Sequence, residues 1–300
     1  MVIPEREHST KNAINRYHES QPQWRRRYIG ASSIGEPCAR RLWYQFRWAK
    51  VEQFPGRVLR LFRRGHREEE TVVQDLKAIG CVVSHTGDDQ LEIKVSPHIV
   101  VHPDGVVESG LPEAPNKRHT LEIKTHSAKS FAKLQKEGIP DKHTAQMQVA
   151  MHGTGVDRAL YVAVNKDTDE LFIERVRYDK DTAEKIIARG TMIAESPEAP
   201  LGVSTDPTWY QCRFCPFHSV CYKNEAADKN CKTCAHSTPR DDGWYCERWK
   251  DYIPERILET GCDSYVPHPD MHPGEIVEAG ETWAVYQLEN GERVRYGDPA

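Results

Sequence analysis

Eight of the nine cysteines fall into two sets of four that could hold metal. Cys38 stands alone near the N-terminus, and its companions, Cys212-x2-Cys215-x5-Cys221, lie far downstream. The second set, Cys231-x2-Cys234-x11-Cys246-x15-Cys262, has the paired-thiol spacing of a small zinc module. Between Cys38 and Cys212 lie acidic and basic residues of the kind that cut phosphodiester bonds. In the run TLEIKT, residues 120–125, Glu122 and Lys124 are two apart on an expected strand and so project from the same face. Asp104 follows Pro103 at the end of an apolar run. Two such carboxylates can hold Mg²⁺ or Mn²⁺ and so acidify a bound water, while the lysine orients that water and offsets charge in the transition state. Glu-x-Lys alone recurs on many exposed strands; apolar Leu121 and Ile123 beside it, and Asp104 upstream, give it weight.

Two expected helices bring further candidates. The pattern from Pro55-Gly56 to Ala78-Ile79-Gly80 predicts a long helix closed by a C-cap glycine. At about 100° per residue, Val58, Leu61, Phe62, Gly65, Val72, Leu76 and Ile79 form one stripe, with Glu69 inside it and His66 on its flank. A carboxylate facing a core is costly unless an arginine or a metal partners it. In residues 141–153, Gln146 and Gln148 occur on a mostly apolar helix, and either could reach the lysine or a phosphate. The diffuse periodicity does not choose between them.

The other elements follow from pattern and turn chemistry. Strands are expected at 90–95, 98–107 and 120–125, with a turn-rich segment between the last two, and a helix over 129–137. A hairpin should form around Asn165-Lys166-Asp167, then a helix over 179–194, broken by residues 196–200. A terminal hairpin is expected around Asn290-Gly291, the favoured two-residue turn. This order describes an α/β core with a mixed central sheet and flanking helices.

In order, Cys38, Gly65-His66-x-x-Glu69, Pro103-Asp104, Glu122-Ile123-Lys124, Gln146 and Cys212-x2-Cys215-x5-Cys221 resemble the PD-(D/E)XK nuclease superfamily. The nearest resemblance is to its iron–sulfur branch, the CRISPR-associated RecB-like exonucleases and the nuclease domains of AddB-type recombination enzymes. It covers roughly residues 28–225 and implies a restriction-endonuclease-like core. Asp104 and Glu122 would then be metal ligands in a site that includes Ile123, with Lys124 the catalytic lysine and Gln146 an orienting residue. Many relatives carry a tyrosine four residues after that glutamine; here the position is Ala150. The helical ligand is a histidine in some members and a glutamate in others. This chain offers His66 and Glu69, of which Glu69 faces the stripe. The resemblance also implies a 4Fe–4S cluster on Cys38, Cys212, Cys215 and Cys221, a set that would suit zinc equally well. Runs around Gly243–Cys246 and Gly261–Pro267 resemble cysteine-rich tails of phage and bacterial proteins. His236 or His268 could join the thiols there. Cys81, after the helix-ending glycine, reads as a buried apolar residue.

The net charge of −4 does not advertise a nucleic-acid binder, but its distribution does. From Trp24 to Arg67 there are twelve Lys/Arg against Glu36 and Glu52, with eight aromatics interleaved. Basic groups grip phosphates and aromatic faces stack on unpaired bases. Arg40, Arg41, Arg47, Arg60, Arg63 and Arg64 are therefore the candidate DNA contacts, although any single aromatic is better placed in a core. The polar N-terminus has no apolar stretch of a secretory signal, and no run approaches the ~20 apolar residues of a membrane span. A cytoplasmic setting is expected, in a bacterium or a phage-infected host, where thiols bind metals more often than they pair.

The expected organisation is an N-terminal arm (1–27), a stapled nuclease domain (28–225) and a separable zinc-binding module with a terminal hairpin (226–300). The expected function is metal-dependent DNA hydrolysis, as an exonuclease acting on single-stranded or duplex ends with a recombination or replication partner. A structure-specific endonuclease and a catalytically silent iron–sulfur DNA-binding or redox-sensing protein are the alternatives. No G-x4-G-K-[S/T] loop is present, so the chain shows no ATP motor of its own.

Overall fold

A computed structural model describes residues 9–23, 25–51 and 53–298. Residues 1–8 of the expected arm, Trp24 and Glu52 lie outside the described residues. The chain opens with α1 (Thr10–Glu19), β1 (Ile29–Gly30), α2 (Ala31–Ile34), α3 (Ala39–Phe46) and the long α4 (Gly56–Ala78). Then come β2 (Val82–Ser84), β3 (Ile93–Ser96), β4 (Ile99–Val101), β5 (Gly105–Ser109) and β6 (His119–His126). Helices α5 (Ala128–Glu137) and α6 (Asp141–Thr154) lead to β7 (Arg158–Asn165), β8 (Leu171–Arg177) and α7 (Lys180–Glu195).

The central sheet has the order β2-β5-β6-β7-β8, with β6 and β7 parallel and the other neighbours antiparallel. A parallel pair needs a crossover, and α5 and α6 supply it. Alternation along β6 and β7 sends Leu121, Ile123, Leu160 and Val162 to one face, where Val72, Val73 and Leu76 of α4 cover them. The other face carries Ala159, Tyr161 and Ala163 under Phe131, Leu134, Met147 and Met151 of α5 and α6. Glu122 stands in register with Tyr161, and so shares the α5/α6 face.

Several expectations need correction. The apolar stretch 98–107 is two strands, because β4 joins β1 and β3 in a separate small sheet while β5 joins the central one. The first of the three expected strands starts only at Ile93. On α4 the apolar stripe is buried only in its second half: Leu61, Phe62 and Ile79 are exposed, whereas Val72 and Leu76 are core. The first half of α4 meets α1 instead of the sheet, and Glu19 Oε1 accepts from the Gly56 N–H at 2.7 Å. Helix α6 is buried continuously from Ala145 to Met151, which accounts for its diffuse periodicity.

After α8 (Tyr210–Arg213) and α9 (His218–Tyr222), the chain builds a three-stranded sheet from β9 (Ser237–Arg240), β10 (Gly243–Cys246) and β11 (Asp251–Tyr252). Helix α10 (Glu255–Leu258) follows. The last sheet contains β12 (Glu275–Ala279), β13 (Trp283–Gln287) and β14 (Arg293–Gly297). The terminal hairpin around Asn290-Gly291 forms, but its loop is longer than two residues: Leu288 pairs with Glu292, and Gly291 adopts φ +84°.

The cysteine-rich region does not stand apart. Trp244, Leu258 and Met271 belong to the same apolar cluster as Ile29, Trp43 and Phe46. Lys232 is fully buried against Phe46, Trp48 and Trp244, and donates to the carbonyls of Arg27 and Phe46. A chain ending at Asn224 would expose this interface. We therefore expect such a truncation to lose cooperative thermal unfolding, and Trp244→Ala in the full chain to cost about 3–5 kcal/mol in denaturant titrations. A truncated protein melting as sharply as the full chain would refute this.

Candidate active site

Asp104, Glu122 and Lys124 converge where β5 meets β6, and Glu69 and His66 approach from α4. The Asp104 carboxylate accepts from the Ile123 N–H at 2.7 Å, which locks the β5 entry onto β6. Ile123 thus contributes its backbone while its side chain packs into the α4 face. Glu122 is 2 % exposed and ion-paired with the Lys124 ammonium. Burial, reinforced by Asp104 and Glu69, outweighs the lysine and raises the Glu122 pKa to about 8. Burial alone would lower the Lys124 pKa, but Glu122 and Asp104 outweigh it and hold the ammonium charged. Asp104 and Glu69 are raised too, chiefly by burial. Three carboxylates therefore crowd one lysine, an arrangement that favours a further cation or a proton.

His66, Glu69 and Asp104 line one cleft of ≈ 450 Å³, together with Glu70, Gln74 and Asp88. His66 is exposed and Glu69 half-buried. Among the described residues, no three His, Cys, Asp or Glu side chains are arranged to hold a metal ion. At this site the Lys124 ammonium already occupies Glu122.

Helix α6 closes the site from the other side and separates its two glutamines. Gln148 is a brace: its amide donates to the Arg177 carbonyl at 2.9 Å and accepts from the Asp179 N–H at 2.8 Å. Gln146 is 6 % exposed and has no hydrogen-bond partner among the described residues. Sequence reasoning missed two neighbouring groups. One is Tyr161, whose hydroxyl lies 2.9 Å from His143 Nδ1 and 3.3 Å from His126 Nε2. Burial lowers both histidines, His143 to about 4, with Lys124 reinforcing the effect. The other is Lys142, paired with buried Glu36, which also holds Arg41. The signal that could have found it is a lone acid next to Cys38 in an otherwise basic run.

The expected DNA contacts divide. Arg47 is 2 % exposed, sandwiched between Trp43 and Trp244, and donates to the carbonyls of Lys232 and Ser196. It is a core residue, and burial lowers its pKa to about 10. Arg40 binds the Pro200 carbonyl at 2.8 Å, and Arg60 binds Asn15. Arg63 and Arg64 are exposed on α4, with Arg64 donating to the Lys166 carbonyl. Arg41 keeps an open face. Of the interleaved aromatics described, Trp43, Tyr44, Phe46 and Trp48 are core, which leaves Tyr28, Phe54 and Phe62 near the surface.

The cysteines gather in two separate places. Cys38, Cys212, Cys215 and Cys221 line one small cavity, where Tyr222 donates to Cys212 Sγ at 3.2 Å. Cys231, Cys234, Cys246 and Cys262 line another, of ≈ 340 Å³, together with His236, whose buried Nε2 has no hydrogen-bond partner. His268 lies outside that cavity and contacts the Pro197 carbonyl. Cys81 is buried apart from both. All nine are free thiols, and burial raises those of Cys215, Cys221, Cys231 and Cys234.

Residues 22–157, somewhat less than half of the chain, match the YqaJ-like viral recombinase domain. That span contains Asp104, Glu122, Lys124, Gln146 and Lys142. A comparison with curated proteins finds none that matches. Among solved structures, the alkaline exonuclease LHK-Exo from Laribacter hongkongensis is 18 % identical, with 56 % of this chain and 87 % of that chain covered and a TM-score of 0.39. LHK-Exo in complex with dAMP gives 17 % identity, 61 % and 90 % coverage, and a TM-score of 0.43. A protein designated SSO0001 gives 15 %, 72 %, 98 % and 0.42. At this degree of overlay the structural likenesses carry no inference about activity.

Because the Glu122 carboxyl is held near pH 8, protons compete with a divalent ion for it. Mg²⁺ affinity, followed by calorimetry, should rise between about pH 7 and pH 9 with proton release and then level off. In the metal-free chain the same shift has the opposite consequence. Stability present below the ordinary value of 4.5 is lost as pH rises through about 8. Glu122→Gln should abolish both dependences and lower metal affinity by about tenfold or more. A wild-type metal affinity independent of pH across that window would contradict the assignment.

Proposed function

We infer that this deoxyribonuclease, with its YqaJ-like viral recombinase domain over residues 22–157, is a metal-dependent exonuclease that processes DNA ends in recombination or phage replication. The observation that carries this reading is the convergence of Asp104, Glu122, Lys124 and Glu69 at the meeting of β5, β6 and α4. Mg²⁺ or Mn²⁺, when bound, would supply the acidified water and charge neutralisation that phosphodiester hydrolysis needs. Asp104, Glu122 and Glu69 would hold the ion, with His66 at the rim and the Ile123 backbone fixing Asp104. Lys124 would orient the attacking water and face the developing charge on the phosphate. Gln146, unpartnered and buried, would hold the lysine or a phosphate oxygen.

The two thiol sets are proposed as separate metal–thiolate centres, a 4Fe–4S cluster on Cys38, Cys212, Cys215 and Cys221 and zinc on Cys231, Cys234, Cys246 and Cys262. What supports this is that each set lines its own cavity, and that a neutral, unpartnered His236 stands beside the second. Ligation would require both sets to tighten from their present spacing. Iron and acid-labile sulfide, about four of each per chain, together with one zinc, are the expected metal content. Zinc in both sets without sulfide would replace the cluster assignment.

The decisive assay uses linear and circular DNA, single- and double-stranded, labelled at either end, with Mg²⁺ or Mn²⁺. Release of label from linear DNA alone, lost in Lys124→Ala by a factor of about 10² or more, is expected. Nicking of circles would assign an endonuclease. A fully active Lys124→Ala would remove the catalytic assignment.

A further inference from the structure

A second groove, of ≈ 440 Å³, shares no lining residue with the acidic cleft and has Lys142, at the start of α6, among its own. Its wall carries the cations Arg41, Lys50 and Lys142, with Arg25 and Arg26 at one end. One carboxylate, Glu36, belongs to that wall, 8 % exposed. It lies 3.2 Å from Arg41 and 3.8 Å from Lys142, so one buried acid restrains two cations. The other carboxylates that reach these cations are Glu225 and Asp228 on Lys50 and Glu259 on Arg25, none of them part of the lining. Phe54 and Phe62 also line the groove and meet edge to face at 5.1 Å, and Phe62 is 44 % exposed. Lys142 directly precedes His143, whose Nδ1 lies 2.9 Å from the hydroxyl of Tyr161, the register partner of Glu122, so the start of α6 is where the groove comes nearest the site.

We propose that this groove takes a single unpaired DNA strand, with Lys142 its phosphate contact nearest the active site and Phe54–Phe62 a stacking platform. The proposal rests on the nuclease reading for the identity of the polymer, and on the groove itself for the strand state. Cations alone would serve duplex and single strand alike, since both present phosphates. An aromatic pair set into the same wall serves only a strand whose bases are unstacked, because duplex bases are already stacked on one another. Glu36 gives the track a resting state. Without DNA it pairs with both Arg41 and Lys142. With DNA, each cation exchanges a shared carboxylate for a phosphate of its own.

Binding of a labelled oligothymidylate and of a blunt duplex, each in Ca²⁺, isolates this from hydrolysis. Phe62→Ala, whose side chain is largely solvent-facing, should weaken oligothymidylate binding by about 5- to 100-fold while changing duplex binding less than about twofold. Lys142→Met should weaken it too and reduce the salt slope by about one phosphate contact. Glu36→Gln keeps the shape, removes the competing charge, and should act in the opposite direction by tightening the oligothymidylate. Equal losses on both DNAs, or no loss in Phe62→Ala and Lys142→Met, would overturn the groove while leaving the nuclease intact. Strand-selective binding without cleavage in Mg²⁺ or Mn²⁺ would instead uphold the groove and overturn the nuclease reading.

Discussion

Holding a carboxylate inside a sheet costs several kcal/mol unless its surroundings compensate, and the architecture around Glu122 is organised by that cost. Its neighbours on β6 alternate, so Leu121 and Ile123 anchor the strand in the α4 core while Glu122 and Lys124 face α6. Lys124 supplies the ammonium paired with Glu122. Asp104 is fixed by a backbone amide of the same strand, so the two acids cannot drift apart. The result is a cluster of three carboxylates around one ammonium, in which burial raises the pKa of every acid.

The parallel pairing of β6 and β7 determines what else can reach the cluster. A crossover must span the sheet, and its second helix, α6, lies between two apolar clusters, with Ala145 and Val149 in one and Met147 and Met151 in the other. Polar side chains on such a helix must be spent on something. Gln148 ties α6 to the end of β8 and the start of α7, and His143 is held by Tyr161. Lys142, one turn before Gln146, lines the groove with Arg41 and Glu36. The burial of α6 thus fixes where its polar side chains can point.

Much of this was legible in the sequence where periodicity and turn chemistry were clean. The long α4 with its closing glycine, β6, the hairpin β7–β8 and the helices α5 to α7 all follow from local pattern. What was not legible depended on tertiary packing. The stripe on α4 predicts a continuous core face, but only its second half meets the sheet, and no local signal says where cover ends. Residues 98–107 read as one strand because both halves are apolar, although they serve different sheets. Arg47 looked like a phosphate contact because charge is counted along the chain, whereas its burial between two tryptophans is decided by Trp244, almost two hundred positions away.

That last misreading exposes how the C-terminal region is held. Arg47 and Lys232 are two buried basic side chains with no carboxylate in contact among the described residues; burial holds the Lys232 amine well below its ordinary range, and carbonyl oxygens and indole and phenyl faces surround both. Cation–π contacts of this desolvated kind contribute up to about 2 kcal/mol each, so the aromatics of α3 and β10 act together, and neither side is complete alone. The two thiol cavities border the same apolar cluster, which includes Cys231 and is flanked by Cys215 and Cys221. A change at either cavity is therefore felt by packing shared with the other. Helix α3, which begins at Cys38 and ends beside Arg47, connects them physically. The α/β core and the cysteine-rich region consequently share one apolar cluster, and packing against it places the distant Cys38 before any metal is considered.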